Sequence, residues 1–212
     1  SAGSDHSLAL TADGSIVAWG RNDSARATPP DGNDFIAVSA GGYHSLALKA
    51  DGSVVGWGRN YEDQATPPDG NDFVAVAAGG YHSLALKTNG TIVDWGLNDD
   101  GQATPPDGNN FIAVSAGGHH SLALKADGTI VGWGDNYYGQ VTQPDGNEFM
   151  AVSAGRDHSL ALKADGSIVG WGKDHYGQAT TPDGNDFIAV SAGWDHSLAL
   201  KVDGSIVGWG YN

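Results

Sequence analysis

The sequence predicts an all-β protein, a β-propeller whose blades are four-stranded units of 38 residues. A histidine and a tryptophan each recur every 38 residues without a break in register. Each period holds only short apolar runs separated by Gly, Asp and Pro, and none is long enough for an ordinary helix. Four short antiparallel strands in about 40 residues are typical of a propeller blade, whereas a solenoid needs a parallel strand or a helix per turn.

The repeats are centred on six histidines, and residues 1–212 form a single propeller domain. These histidines are His6, His44, His82, His120, His158 and His196. In the second unit, strand A is predicted at Phe35–Ala40, strand B at His44–Lys49 and strand C at Ser53–Gly58. A weaker strand D is predicted at Gln64–Pro68. Its prolines cannot donate to a ladder, which places it on the outer edge of the sheet.

The strand count leaves two alternatives for the number of blades. Strands B and C occur six times, but strands A and D are complete only five times, so six full units need 16 residues more than the 212 present. A six-bladed ring is favoured, with part of a seven-bladed or longer array as the alternative. The seam is expected between residues 1–10 and 205–212, where unpaired edges either contact a second copy or stay mobile.

Composition restricts the partners. The chain has 25 acidic and 10 basic residues, and its formal charge of −15 repels phosphate backbones and anionic lipid headgroups. Nucleic acid and membrane surfaces are therefore not expected as partners, and a protein is. The chain has no cysteine, which removes disulfides, thiolate nucleophiles and cysteine metal sites.

The repeated histidines are interpreted as structural. Each shares its strand parity with the two leucines that follow, so His44 points the same way as Leu46 and Leu48. A buried imidazole needs a hydrogen-bond partner, which predicts a paired histidine in every blade. The alternative, a ring of imidazoles binding a metal in the channel, spaces the nitrogens too widely for one tetrahedral site. No metal and no cofactor are predicted.

The repeats differ from one another in two loops, one between strands A and B and one after strand C. In an up-down-up-down blade these loops emerge on the same face. Tyr, Trp and Arg accumulate there, the residue types that dominate binding hot spots, which favours a partner-binding face over neutral drift. The predicted binding residues are Tyr43, Arg59, Tyr61, Tyr81, His119, Tyr137, Tyr138, Arg156, Asp157, His175, Tyr176, Trp194 and Asp195.

No catalytic residues are predicted. Adjacent strand residues such as His44 and Ser45 point to opposite faces and cannot act as a base and nucleophile pair, and phosphate-binding or zinc-protease motifs are absent. The repeated Pro-Pro-Asp-Gly segments of the opposite face are interpreted as turn chemistry rather than as a calcium site. Two alternatives to a protein-binding module stay open: a lectin-like carbohydrate site, and a structural, self-assembling repeat protein.

The recurring strings AG-x-x-HSLAL, DG-x-(I/V)-V and WG, with Gly-Gln pairs such as Gly101-Gln102, resemble the regulator of chromosome condensation repeat family. Within it the chain is similar to secreted bacterial propellers that inhibit β-lactamases. The resemblance implies a propeller that acts through protein contacts on one face, as an enzyme inhibitor, and an extracellular location. Those propellers have seven blades, and the six blades favoured here depart from them. Exchange-factor members of the family act on a small GTPase and chromatin, which the charge of −15 disfavours here.

Overall fold

The computed structural model describes residues 1–211, and every regular element in that range is a β-strand. No helix able to cross a membrane occurs among these residues. The strands are β1 His6–Leu10, β2 Ile16–Gly20, β3 Phe35–Ala40, β4 His44–Lys49, β5 Val54–Gly58, β6 Phe73–Ala78, β7 His82–Lys87, β8 Ile92–Gly96, β9 Phe111–Ala116, β10 His120–Lys125, β11 Ile130–Gly134, β12 Phe149–Ala154, β13 His158–Lys163, β14 Ile168–Gly172, β15 Phe187–Ala192, β16 His196–Lys201 and β17 Ile206–Gly210.

These strands form six antiparallel sheets in chain order, one for each repeat. Five sheets have three strands, in the order A-B-C of the repeat, such as β3-β4-β5. The first sheet pairs β1 with β2 alone, while Ala2 bridges Ser7 where the end of a strand A would lie. The all-β propeller with six 38-residue blades is confirmed, and strands A and B have the predicted bounds.

The predicted strand D is wrong. Residues Gln64–Pro68 form a turn followed by an irregular segment, so each complete blade has three strands. The backbone groups of this segment are used elsewhere: Thr66 N donates to Asp63 O, and Gln64 O accepts hydrogen bonds from Ser83 Oγ and Trp95 Nε1 of the next blade. The turn and the contacts between blades therefore use the backbone groups that a strand D would pair with strand C. The prolines could not have donated to that pairing, because they lack an N–H group.

Strand A of each blade lies nearest the propeller axis. Consecutive A strands, such as β3 and β6, approach within 8 Å, and their ends line a central cavity of about 300 Å³ with Ala and Gly. This approach requires glycine, because a Cβ on Gly41 would lie 2.5 Å from the carbonyl oxygen of Gly79. The narrow channel thus explains the repeated Ala-Gly at the end of strand A.

The hydrophobic core is divided among the interfaces between blades. At the first interface, Leu8 and Ile16 of blade 1 pack against Phe35, Ala47 and Trp57 of blade 2. The positions of Ile16, Phe35, Ala47 and Trp57 recur at the following interfaces, where the second leucine of strand B, such as Leu48, takes part. The repeated leucines and tryptophans are therefore the two halves of one interface used five times, which explains why they do not vary.

A hydrogen-bonded chain crosses each of these interfaces. His44 Nε2 lies 2.8 Å from Ser83 Oγ, and Ser83 Oγ donates to Gln64 O at 2.8 Å. Because the serine gives its one proton to the carbonyl, the imidazole must donate through Nε2, which leaves Nδ1 bare, buried and without a partner. The predicted structural histidine is thereby found, and its Nε2 points into the next blade rather than toward a shared centre.

Blade 6 and blade 1 do not repeat this interface. Within residues 1–211 no hydrogen bond joins residues 187–210 to residues 1–20. Leu198 and Ile206 are 41% and 69% exposed, whereas the equivalent Leu46 is fully buried, and Trp19 is 54% exposed. The described array is open at this edge, and each side presents one half of the interface used elsewhere.

Candidate functional site

The two variable loops of each blade lie on one face, here called the loop face. Backbone hydrogen bonds join them: Arg59 N donates to Tyr43 O at 3.0 Å, and Lys173 N donates to Asp157 O at 2.9 Å. All thirteen residues predicted from the sequence lie in these loops. Their side chains form separate clusters rather than one.

Blades 2 and 5 share one geometry on the loop face. In each, the side chain that follows the Trp-Gly pair reaches between the A–B loops of its own blade and the next. The Arg59 guanidinium lies 5.2 Å from the ring centres of both Tyr43 and Tyr81. Lys173 Nζ lies 3.3 Å from Asp157 Oδ2 and 3.1 Å from Asp195 Oδ1. Neighbouring blades therefore build composite sites that no single repeat contains.

The first cluster surrounds Arg59 with aromatic rings. Tyr61 lies 4.8 Å from the guanidinium, and Tyr43 stacks on Tyr81 with ring centres 4.8 Å apart. Among residues 1–211 no carboxylate lies within 4.0 Å of Arg59, and its Nε is buried without a partner. Burial, followed by the interaction with the Tyr43 hydroxyl, raises the pKa of Tyr81. The cluster holds a cation that no acidic side chain neutralises.

Arg26 supports this cluster, and sequence reasoning left it out of the site. It is almost fully buried, its guanidinium lies 5.1 Å from the Tyr43 ring, and its Nη2 lies 2.6 Å from Asp23 Oδ1. It stands where later blades have a glutamine such as Gln64. That exchange of a buried, repeated residue was the signal that could have identified it.

The second cluster lies across the channel mouth. The Arg156 guanidinium stacks over Trp194 at 4.6 Å, and Lys173 bridges Asp157 and Asp195. Burial works against the Lys173 charge, but hydrogen bonds to the two carboxylates outweigh it and raise the pKa of the amine. Lys173 is a second residue that sequence reasoning missed, although it occupies the same position as Arg59.

The remaining predicted residues form smaller groups around the rim. Tyr138 meets Tyr137 edge-on with ring centres 4.9 Å apart, and His175 lies 5.7 Å on its other side. His119 lies 5.8 Å from Tyr81. Tyr176 contacts Tyr211, which sequence reasoning left out of the site, at 4.9 Å. Tyr61 and Tyr137 are more than four-fifths exposed, so aromatic surface is available around the rim.

The channel opens between the two larger clusters. Its mouth on the loop face is lined by Tyr43, Tyr81, Arg156 and Trp194, and deeper parts are lined by Ala and Gly. In residues 1–211 no three His, Cys, Asp or Glu side chains converge as metal ligands do. The loop face therefore offers aromatic rings and guanidinium groups, which suit recognition of another molecule's surface.

The chain matches the Regulator of chromosome condensation (RCC1) repeat over residues 1–25, 35–64, 73–102, 111–140, 151–178 and 187–212. The chain belongs to this RCC1 repeat family. The six matched segments follow the six blades and include every repeated histidine and tryptophan. No curated protein sequence matches the chain significantly.

Solved structures confirm the propeller fold. Yeast RCC1 (Prp20), in a crystal structure where Kap60 is bound to it, is 21% identical with a TM-score of 0.84, over 99% of this chain and 68% of that one. A second structure of Prp20p from Saccharomyces cerevisiae, reported with its binding to Gsp1p and histones, has 22% identity and a TM-score of 0.82, covering 99% and 70%. The ectodomain of the Physcomitrella patens receptor kinase CR4 has 26% identity and a TM-score of 0.81, covering 98% and 60%. The chain thus spans 60–70% of these three proteins.

Proposed function

We propose that this RCC1-repeat propeller is a non-enzymatic binding module that presents the loop face to a protein partner. The observation that carries the proposal is the concentration of Tyr, Trp and Arg in composite clusters on one face of a rigid scaffold. Such side chains add a large contact area for few rotatable bonds. The guanidinium of Arg59 can still donate hydrogen bonds to a carboxylate of the partner. Binding to an enzyme, as an inhibitor, is the narrower form of this function.

The geometry favours a protein partner over repeated sugar sites. A lectin-like propeller would use an equivalent pocket in each blade. Here the A–B position that holds Tyr43 and Tyr81 holds Asp5, His119, Asp157 and Asp195 in the other blades. The face is therefore a single asymmetric surface, which suits one irregular partner rather than several copies of a small ligand.

Tyr81→Ala and Trp194→Ala should each weaken binding of a captured partner at least tenfold, because each removes an aromatic side chain at the channel mouth. The measurement is affinity capture from the source organism's secretions and lysate, followed by titration of the captured protein. Asp51→Ala, on the opposite face, is the control and should leave the affinity unchanged. Equal losses in all three variants would reject the loop face as the binding site.

The open edge supports a second interaction, self-association, which we infer from the two unused half-interfaces. His196 lacks the serine that each equivalent histidine has, and Leu198 and Ile206 are uncovered. A second copy offers Ser7, Val17 and Trp19, which correspond to the serine, valine and tryptophan that fill the other interfaces.

Ile206→Asp should abolish concentration-dependent association of the 212-residue chain, because it buries a charge in the apolar contact. Sedimentation velocity between about 1 and 100 µM measures this, with Tyr137→Asp on the loop face as the control. A chain that is monomeric at every concentration before any substitution would contradict self-association and leave the loop-face function intact.

A further inference from the structure

The face opposite the loops carries a ring of exposed apolar side chains. Each complete blade contributes the second residue of its strand A. The ring consists of Ile36, Val74, Ile112, Met150 and Ile188, which are between 49% and 61% exposed. These positions are apolar in every complete blade, yet they contribute nothing to the buried clusters. A repeated residue that is not needed for the core requires another explanation.

A β-bulge turns these side chains out of the sheet. Phe35 pairs with Lys49 and Ala37 pairs with Leu48, so Ile36 is an extra residue without a partner in the ladder. The same shift occurs in the other four complete blades. Because strand A lies nearest the axis and these residues lie at its start, the five side chains are placed around the opposite mouth of the channel.

Carboxylates rim this patch. In four blades the acidic residue before strand A pairs with a lysine, as in the 3.1 Å contact between Asp34 and Lys49; these residues are Asp34, Asp72, Glu148 and Asp186. A second acidic residue in each Pro-Asp-Gly turn is exposed and forms no ion pair within residues 1–211. These uncompensated carboxylates are Asp31, Asp69, Asp107, Asp145 and Asp183. All four arginines lie on the other face, and four of the five lysines that end the B strands are taken up by these ion pairs, while Lys125 faces Asn110 at the equivalent position.

We propose that this apolar ring and its acidic rim form a second docking surface, separate from the loop face, for a cationic amphipathic segment of a protein partner. Such a segment places apolar side chains on the ring and Lys or Arg against the rim. The charge argues for this occupant. A nucleic acid, an anionic membrane or the same face of a second copy would each bring negative charge to uncompensated carboxylates.

The test uses a fluorescein-labelled 14-residue peptide with Leu at helical spacing and Lys elsewhere, titrated with the 212-residue chain and followed by fluorescence anisotropy. Saturable binding that weakens as salt rises is expected. Ile112→Ser combined with Met150→Ser should weaken it at least tenfold. Asp107→Asn combined with Asp145→Asn should weaken it severalfold and reduce the salt dependence.

Matched controls separate this surface from the others. Tyr61→Ser with Tyr137→Ser removes comparably exposed rings from the loop face, and Ile206→Ser removes apolar surface from the open edge; neither should change the affinity. All substituted side chains are exposed, so thermal unfolding should confirm that each variant folds.

The proposal would be overturned by no saturable binding, by equal binding of a peptide with Ser in place of Leu, or by a greater loss in a control than in the ring variant. A peptide with Glu in place of Lys should not bind, and binding by it would also overturn the proposal. None of these outcomes affects capture of a partner by the loop face, because the two surfaces lie on opposite sides of the propeller.

Discussion

The free energy of unfolding should fall as the pH drops below 6.5, with a slope that reaches about 4 kcal/mol per pH unit near pH 5, so that the propeller unfolds in mild acid. The cause is the set of histidines at the blade interfaces. Burial lowers the pKa of His44, His82 and His120 to about 3 and that of His158 to about 4. In the unfolded chain the pKa of each of these histidines is about 6.5.

The sign follows from proton uptake. Below pH 6.5 the unfolded chain binds a proton at each of these four histidines, while the folded chain binds none until its lowered pKa is reached. Asp94 lowers the net proton uptake on unfolding by one, because its carboxyl is protonated in the folded chain and ionised in the unfolded chain. The net uptake is about three protons, and each contributes about 1.4 kcal/mol per pH unit. Aspartates of the B–C turns, such as Asp13 with a pKa of about 2, lose their stabilising bonds only below this window.

Urea denaturation followed by tryptophan fluorescence at several pH values between 4 and 7.5 measures this slope. His82→Gln should reduce the uptake by about one proton, whereas His175→Gln, at an exposed position on the loop face, serves as the matched control. A free energy of unfolding that stays constant from pH 7 to pH 5 would show that the imidazoles take up protons without opening the interfaces.

Most of the fold could be predicted because one interface is used repeatedly. The positions of Phe35, Trp57 and His44 each serve the same contact in successive blades, so constancy among repeats reports an inter-blade contact. Strand D could not be predicted from the same pattern. Its backbone groups are committed to bonds with the neighbouring blade, such as the one from Trp95 to Gln64, and apolar periodicity carries no signal for such bonds.

The sequence predicted on which face the site residues lie, but not which of their side chains contact one another. Divergence among repeats placed Arg59 and Tyr81 on one face, yet their contact arises from the packing of one blade against the next. Arg26 and Lys173 were missed for that reason. The comparison of repeats does not predict the exposure of the apolar ring. Ile112 and its equivalents are apolar in every complete blade, but a β-bulge exposes them. The bulge depends on the pairing between strands, which the apolar pattern does not report.

Asp94 is the residue at which one blade departs most sharply from the others within the scaffold. The same position is Gly56, Gly132, Gly170 and Gly208 in four blades and Ala18 in the first. A Cβ on Gly56 would lie 2.5 Å from the carbonyl oxygen of Ala65, so the position is crowded. Asp94 Oδ2 accepts a hydrogen bond from Trp133 Nε1 at 3.0 Å, and Oδ1 is buried without a partner.

Asp94→Gly should therefore stabilise the protein, by about 4 kcal/mol at pH 7. Burial raises the pKa of Asp94 to about 8, so the folded chain retains a proton that the unfolded chain releases above about pH 4. The penalty grows by about 1.4 kcal/mol per pH unit between pH 4 and pH 8 and is constant above that range. Trp133 keeps its hydrogen bond to Gln102 O at 3.0 Å, so the substitution leaves no orphaned donor.

Urea denaturation of the native protein and of Asp94→Gly at pH 5, 6, 7 and 8.5 distinguishes this from simple relief of crowding. Crowding would give a difference in unfolding free energy that is the same at every pH, whereas a buried carboxyl gives one that widens as pH rises and shrinks toward zero near pH 4. Asp94→Asn keeps the shape and the acceptor but cannot ionise, so its free energy of unfolding should follow the same pH dependence as that of the glycine variant. A native protein that is more stable than both variants at pH 7 would mean that Asp94 is ionised and held by contacts that favour its charge, and the raised pKa would then be wrong.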